Sequence, residues 1–204
     1  SANMNNRLSE AIVEAYKSTN GAPISFELML KCYQSRMKDA NNDDSISSVL
    51  KQLVNAHIFE SEDKVSLIDD SYIIKMDGYP KDGPIAKAIV YFLMSKLNNI
   101  YELLDKQAVN DEVVQIRHFS IIDEAHYMLD FDNRPLRNLI AVGRNKGLSI
   151  ILATQNMSSF KSKGFDFYAN AQYPLIMKQQ TIDDKVIKDL FGVSGQELQE
   201  IRTA

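Results

Sequence analysis

Four short apolar runs, separated by helix-patterned stretches, constrain this chain more than anything else in it. From residue 71 onward, "SYIIKMDG", "QIRHFSIID", "LSIILAT" and "YPLIMKQ" have strand length and strand composition. Between the first two, Pro84 opens a helix running to about Leu104, with Ile85, Ile89, Phe92/Leu93, Leu97, Ile100 and Leu104 at helical spacing. Residues 133–145 read as a second helix ending in "GRNKG", and "DDKVIKDLFG" as a third stopped by Gly192. Strands alternating with helices predict an α/β fold with a parallel sheet and crossover helices. "LSIILAT" reads as a strand buried on both faces.

Residues 4–70 follow a different grammar. Leu8, Ile12 and Ala15/Tyr16 recur at helical spacing until "NGAP" at 20–23 breaks the helix. Ser25 is placed to cap a second helix through Lys38, with Phe26, Leu28, Met29, Leu30 and Tyr33 on its apolar side. After "ANNDD", Ser45 or Asp44 caps a third helix carrying Ile46, Val49, Leu50, Leu53 and Val54. "HIFESEDKVSLID" has the pattern of a short hairpin around "SEDK". The expectation is a small helical subdomain, winged-helix-like if the hairpin is a wing. The "SAN" before Met4 reads as the remnant of an expression tag. At the other end, "SGQELQEIRTA" reads as a helix with no stop signal, so a piece of a longer protein is expected.

The 204 residues suffice for one large domain or a core with a small appendage. A net charge of −4 argues against a cationic coat for nucleic acid, but leaves room for a local basic groove or a pore lined by a few lysines. The single cysteine, Cys32, excludes an intrachain disulfide and fits a reducing, cytoplasmic compartment. No apolar run reaches the length of a membrane span, so no membrane segment is expected.

In an open parallel sheet, chemistry collects at the carboxyl ends of the strands. The strand at 117–122 ends in Asp123 and Glu124, and the strand at 148–153 ends in Thr154 and Gln155. The loop feeding the second strand holds Gly143, Arg144 and Lys146. A carboxylate directly after a buried strand can hold a water of a hydrated magnesium ion, the task for Asp123. A second carboxylate can polarise an attacking water, the task for Glu124. The neutral amide of Gln155 can position that water without competing for the metal. The Arg144 guanidinium can neutralise charge on phosphoryl oxygens, within one subunit or across to a neighbour. Each residue also has a plainer account. Asp-Glu after a strand is a helix N-terminal signal, Arg144 and Lys146 a cationic helix end, and Gln155 a solvated turn residue. His126 reads as a helix residue facing a neighbour, since His118 and His57 stand at no ligand spacing from it. Asp77, ending the first run, either lines the same edge or caps its loop.

Taken together, "FSIIDEAHYML", "LRNLIAVGRNKGLSIILATQNMSSF" and "NAQYPLIMKQ" resemble the second half of a HerA/FtsK-type P-loop ATPase, a superfamily of ring-forming DNA translocases. The resemblance covers roughly residues 71–200 and is most specific from Gly143 to Gln155. It implies a partial RecA-like parallel sheet, with ATP and Mg2+ as cofactors. By that resemblance Asp123 is the Walker B aspartate, holding magnesium through water, and Glu124 the catalytic glutamate. Gln155 is the sensor glutamine, with Thr154 beside it at the nucleotide, and Arg144 is the arginine of the "GR-x-x-G" segment. The partners implied are duplex DNA, further copies in a homo-oligomeric ring, and proteins of a restriction or transfer system. "FDFYANAQYPLIMKQ", followed by "LFG", is similar to the ATPase of phosphorothioation-linked restriction systems. One departure matters: no "GxxxxGK[ST]" occurs, and "GYPKDGP" at 78–84 has the wrong spacing and prolines where N–H groups should cradle phosphate. The resemblance therefore implies a helical insertion at 4–70 and the carboxyl-terminal part of the ATPase core at 71–204, without hydrolysis by this chain alone.

Two rivals remain. A DEAH-box superfamily-2 helicase fragment would carry "SAT" at the end of the strand where this chain has "ATQ". A non-catalytic DNA-binding or scaffolding module would use 45–57 as a recognition helix, offering Ser47, Ser48, Lys51, Gln52 and Asn55 beside an acidic wing that repels phosphate.

Overall fold

A computed structural model of the chain describes residues 2–39, 41–58, 66–110, 113–155, 161–162, 165–177 and 184–203. Contacts divide it into two units, with the boundary between Ile89 and Val90.

The first unit opens with α1 (Ala2–Ser18), α2 (Phe26–Gln34) and α3 (Ser45–Asn55), with α1 packed on α2 and α2 on α3. Ala11, Ala15, Cys32, Tyr33, Leu50 and Leu53 are among its buried apolar side chains. Ser25 caps α2, its hydroxyl accepting from Leu28 N. The helix ends at Gln34, four residues before the expected Lys38. The Ser35 hydroxyl and the Arg36 guanidinium both donate to Cys32 O there, taking up a carbonyl that another turn would have used. Asp44, one of the two expected caps, starts α3. Its Oδ1 accepts from Ile46 N and Ser47 N, while Ser47 Oγ accepts from Asp44 N, a reciprocal capping box. Its Oδ2 accepts from Tyr33 OH at 2.6 Å and Arg7 Nη1 at 3.2 Å, so one carboxylate joins all three helices. The expected hairpin at "SEDK" lies outside the described residues.

The first expected strand is absent. Residues 71–76 have no regular structure, and Ile73 is 88% exposed. A strand exists only by backbone pairing, and no described residue pairs with this segment. Asp77 is exposed in the turn that follows. The helix at Pro84 forms as expected, α4 (Pro84–Leu103), and the contact boundary falls within it.

The second unit holds a two-residue antiparallel pairing of β1 (Val109–Asn110) with β2 (Val113–Val114), then β3 (His118–Ile122), α5 (His126–Leu129), α6 (Arg134–Val142) and β4 (Leu148–Leu152). A 3-10 turn, Gly143–Lys146, joins α6 to β4. β3 and β4 pair in parallel, from His118 opposite Leu148 to Ile122 opposite Leu152. Beyond them come the two-residue pair β5 (Lys161–Ser162) and β6 (Phe165–Asp166), then α7 (Phe167–Asn170), α8 (Asp184–Phe191) and α9 (Gly195–Thr203). The fold is thus mixed α/β with a small parallel two-stranded sheet. Arg202 reaches from α9 to both carboxylate oxygens of Asp184 on α8 at 2.8 Å.

Two expectations fail here. "YPLIMKQ" is not a strand over its described part: residues 173–177 have no regular structure, no described residue pairs with them, and Leu175 is 90% exposed. "LSIILAT" forms a strand but is covered on one face. Ile122, Ile150 and Leu152 pack with Leu129, Leu136, Phe167 and Met94, whereas Phe119, Ile121 (70% exposed) and Ile151 face outward. The intervening helices bring Leu129 and Leu136 to the same side of the sheet, so period-2 alternation leaves the other side open.

Candidate functional site

The register of β3 on β4 sets the site. With Ile122 opposite Leu152, the next residues continue the pairing: Ala153 N donates to Ile122 O at 2.9 Å, and Ala125 N to Ala153 O at 2.8 Å. The carboxyl ends of two adjacent parallel strands are thereby locked side by side, and the residues just beyond them come together.

Asp123 is exposed, and its Oδ1 accepts from Glu124 N at 2.9 Å. Glu124 has φ +50°, left-handed backbone that costs an L-residue on the order of 1–2 kcal/mol. Among the described residues, the other two non-glycine residues with positive φ, Asn20 and His57, lie just past the ends of α1 and α3, where such backbone is routine. Glu124 instead stands between a strand and a helix, held by the cross-strand bonds on either side. Its Oε1 accepts from Gln155 Nε2 at 2.8 Å, bridging the two strand ends. Its Oε2 is shut off from solvent, accepts no hydrogen bond, and lies 3.3 Å from His126 Nδ1. Thr154 Oγ1 lies 3.3 Å from the same nitrogen.

The plain helix-signal account of Asp-Glu does not describe this geometry. The helix that follows, α5, has four residues, and its N-cap, Ala125, has no side-chain cap bond. Asp123 spends its bond on Glu124, and Glu124 faces Gln155 and His126.

Arg144 falls elsewhere. It is exposed on the 3-10 turn before β4 begins, at the opposite end of the strand pair from Glu124. Five residues of strand separate the two ends by roughly 16 Å. Within one chain, Arg144 is therefore not brought to Asp123, Glu124, Thr154 and Gln155. Lys146 is a helix-end cation as its plainer account has it, but for a different helix: Nζ donates to Tyr101 O and Glu102 O at the end of α4. Both glycines of "GRNKG" answer to the turn. A Cβ on Gly143 would stand 2.8 Å from Leu148 Cδ2, and Gly147 has φ +81° with a Cβ position 2.7 Å from Gln115 O.

His118 lies half-buried on β3, edge-on to Tyr101 with Nε2 3.2 Å from Ser120 Oγ, and burial lowers its pKa. Among the described residues, no group of three or more His, Cys, Asp or Glu side chains converges to hold a metal. That excludes an all-protein cage there. It leaves the arrangement magnesium ordinarily takes, one or two carboxylates with retained waters and substrate phosphates, which the exposed carboxylate of Asp123 fits. The residues fit the cation better than they fit the nucleotide, because the sequence has no phosphate loop.

The contact of His126 with Glu124 and Thr154 was not legible in the sequence. His126 reads there as a helix residue, and only the parallel register carries Thr154 across to it. The left-handed backbone of Glu124 was equally hidden, since glutamate has no preference for it.

No protein-family model matches the chain, and a search of curated proteins found no match.

Proposed function

We propose that this chain is the carboxyl-terminal part of an ATP-driven DNA translocase motor of the HerA/FtsK kind, serving a bacterial DNA-processing or restriction system. The observation that carries the reading is the Gln155–Glu124 bridge, formed by a strained glutamate at the ends of two neighbouring parallel strands. A strained backbone held at a polar strand end is where function concentrates.

Mg-ATP, when bound, supplies the phosphoryl group and the cation that offsets its charge. Asp123 offers its exposed carboxylate to a hydrated cation. Glu124 accepts a proton from water at Oε1, and Gln155 fixes that oxygen and orients the same water. Thr154 supports the edge through His126. Arg144, roughly a strand length away, acts on the site of a neighbouring copy, consistent with the homo-oligomeric ring on DNA that the resemblance implies. The phosphate loop comes from outside this chain, so the 204 residues alone do not turn over ATP. The open sheet face at Phe119, Ile121 and Ile151 supports a further layer packed on it in the working assembly.

The rival DNA-binding module loses support at α3. Ser47 is buried in the capping box, and Lys51 Nζ is held by Asp43 Oδ2 at 2.7 Å. Of the side chains expected to read bases, two polar contacts are thus already committed within the unit. DNA-stimulated ATP hydrolysis by the full-length protein tests the motor reading. Salt-sensitive duplex binding by this chain, with no turnover in the full-length protein, would favour the module.

A further inference from the structure

The two oxygens of Glu124 have unlike surroundings, and the difference gives His126 a task. Oε1 meets the Gln155 amide, whereas Oε2 points into a solvent-excluded place, 3.3 Å from His126 Nδ1. A carboxylate opposite Nδ1 selects the tautomer with its hydrogen on that nitrogen, because two lone pairs would otherwise face each other. That N–H then lies between Glu124 Oε2 and Thr154 Oγ1, each at 3.3 Å. The imidazole is itself held: its ring packs at 4.1 Å on Tyr127, and the preceding residue is tied across to β4 through Ala125 N and Ala153 O.

We propose that His126 is a positioning residue for Glu124, holding Oε2 inward so that Oε1 stays turned toward Gln155 and water. The proposal rests on Glu124 being the base that activates water. At 3.3 Å the contact is within reach but not aligned as a hydrogen bond, as catalytic contacts in unliganded sites commonly are, and on this proposal it aligns when the site closes on substrate. Without it the carboxylate can rotate about its last bond, and the Gln155 bridge no longer selects one oxygen.

Two variants separate positioning from packing. His126→Phe keeps a ring and removes the donor, and His126→Asn restores a donor near the place of Nδ1. In the 204-residue chain, the side-chain amide NMR signals of Gln155 report the bridge without any nucleotide. They are expected to move toward those of a free glutamine in His126→Phe and to stay near the parent values in His126→Asn. In the full-length protein, His126→Phe is expected to lower kcat about 10-fold or more with KM for ATP unchanged, and His126→Asn to recover most of that loss. Parent-like Gln155 signals and kcat in His126→Phe would overturn the proposal. So would equal losses in both variants together with a lower melting temperature, the mark of a packing role. If Glu124→Gln keeps full turnover, the base assignment fails instead, while the Gln155 signals still decide whether His126 holds Glu124.

Discussion

Gln155 Nε2 donates to Glu124 Oε1 at 2.8 Å, and this bond joins the carboxyl ends of two parallel strands that pair from His118 to Ile122 and Leu148 to Leu152. Residues that act through one shared bond are not additive. In the full-length protein, Gln155→Leu and Glu124→Gln should each lower kcat by about 100-fold or more, and the double variant should be little worse than the stronger single one. Multiplying losses would mean that the two side chains act separately.

The backbone of Glu124 makes a second expectation. At φ +50°, glycine sits without the strain a side chain imposes. Glu124→Gly should leave thermal stability intact or raise it by up to about 1 kcal/mol while abolishing turnover. Glu124→Val, branched at the same φ, should destabilise. A glycine variant clearly less stable than the parent would show that the bonds of the carboxylate, rather than the backbone, keep this turn in place.

In the first unit, Asp44 links α1, α2 and α3. Burial opposes its ionisation, but the bonds from Ser47 N, Tyr33 OH and Ile46 N and the charge of Arg7 prevail and hold its pKa below the usual carboxylate value. With the folded pKa depressed, the stability it contributes is present above about pH 4 and is lost as pH falls through the lowered value. Asp44→Asn keeps a capping oxygen and removes the charge, so acid titration of its unfolding should be flatter than the parent's. Asp44→Ala also removes the cap and should cost about 1 kcal/mol at neutral pH.

Gly147 carries the turn into β4. Its φ of +81° and the 2.7 Å approach of its Cβ position to Gln115 O leave no room for a side chain. Gly147→Ala should destabilise the second unit by about 2 kcal/mol or more, read from urea unfolding. A neutral substitution would show that this turn can be rebuilt.

Much of the local structure was legible because local signals suffice for it. Ser25 caps α2, Asp44 caps α3, Pro84 opens α4, and β3 and β4 form where their apolar runs stand. Pairing and burial were less legible, since both depend on distant neighbours. Residues 71–76 and 173–177 are largely apolar, yet no described strand accepts them, and Ile151 faces outward on a strand, β4, that reads as buried on both sides. At the site, the sequence pointed to Glu124 and Gln155 because both end apolar runs, and the parallel register joins them. Arg144 also borders such a run, but at its beginning, and direction along the strand separates it from the others.

As proposed, Glu124 activates water at the edge of an ATP-driven motor. ATP hydrolysis by the full-length protein, with and without duplex DNA, should be measured beside its Glu124→Gln variant. DNA-stimulated turnover is expected in the parent and is expected to fall about 100-fold or more in the variant, with ATP binding retained by both. Undiminished turnover in the variant would contradict it.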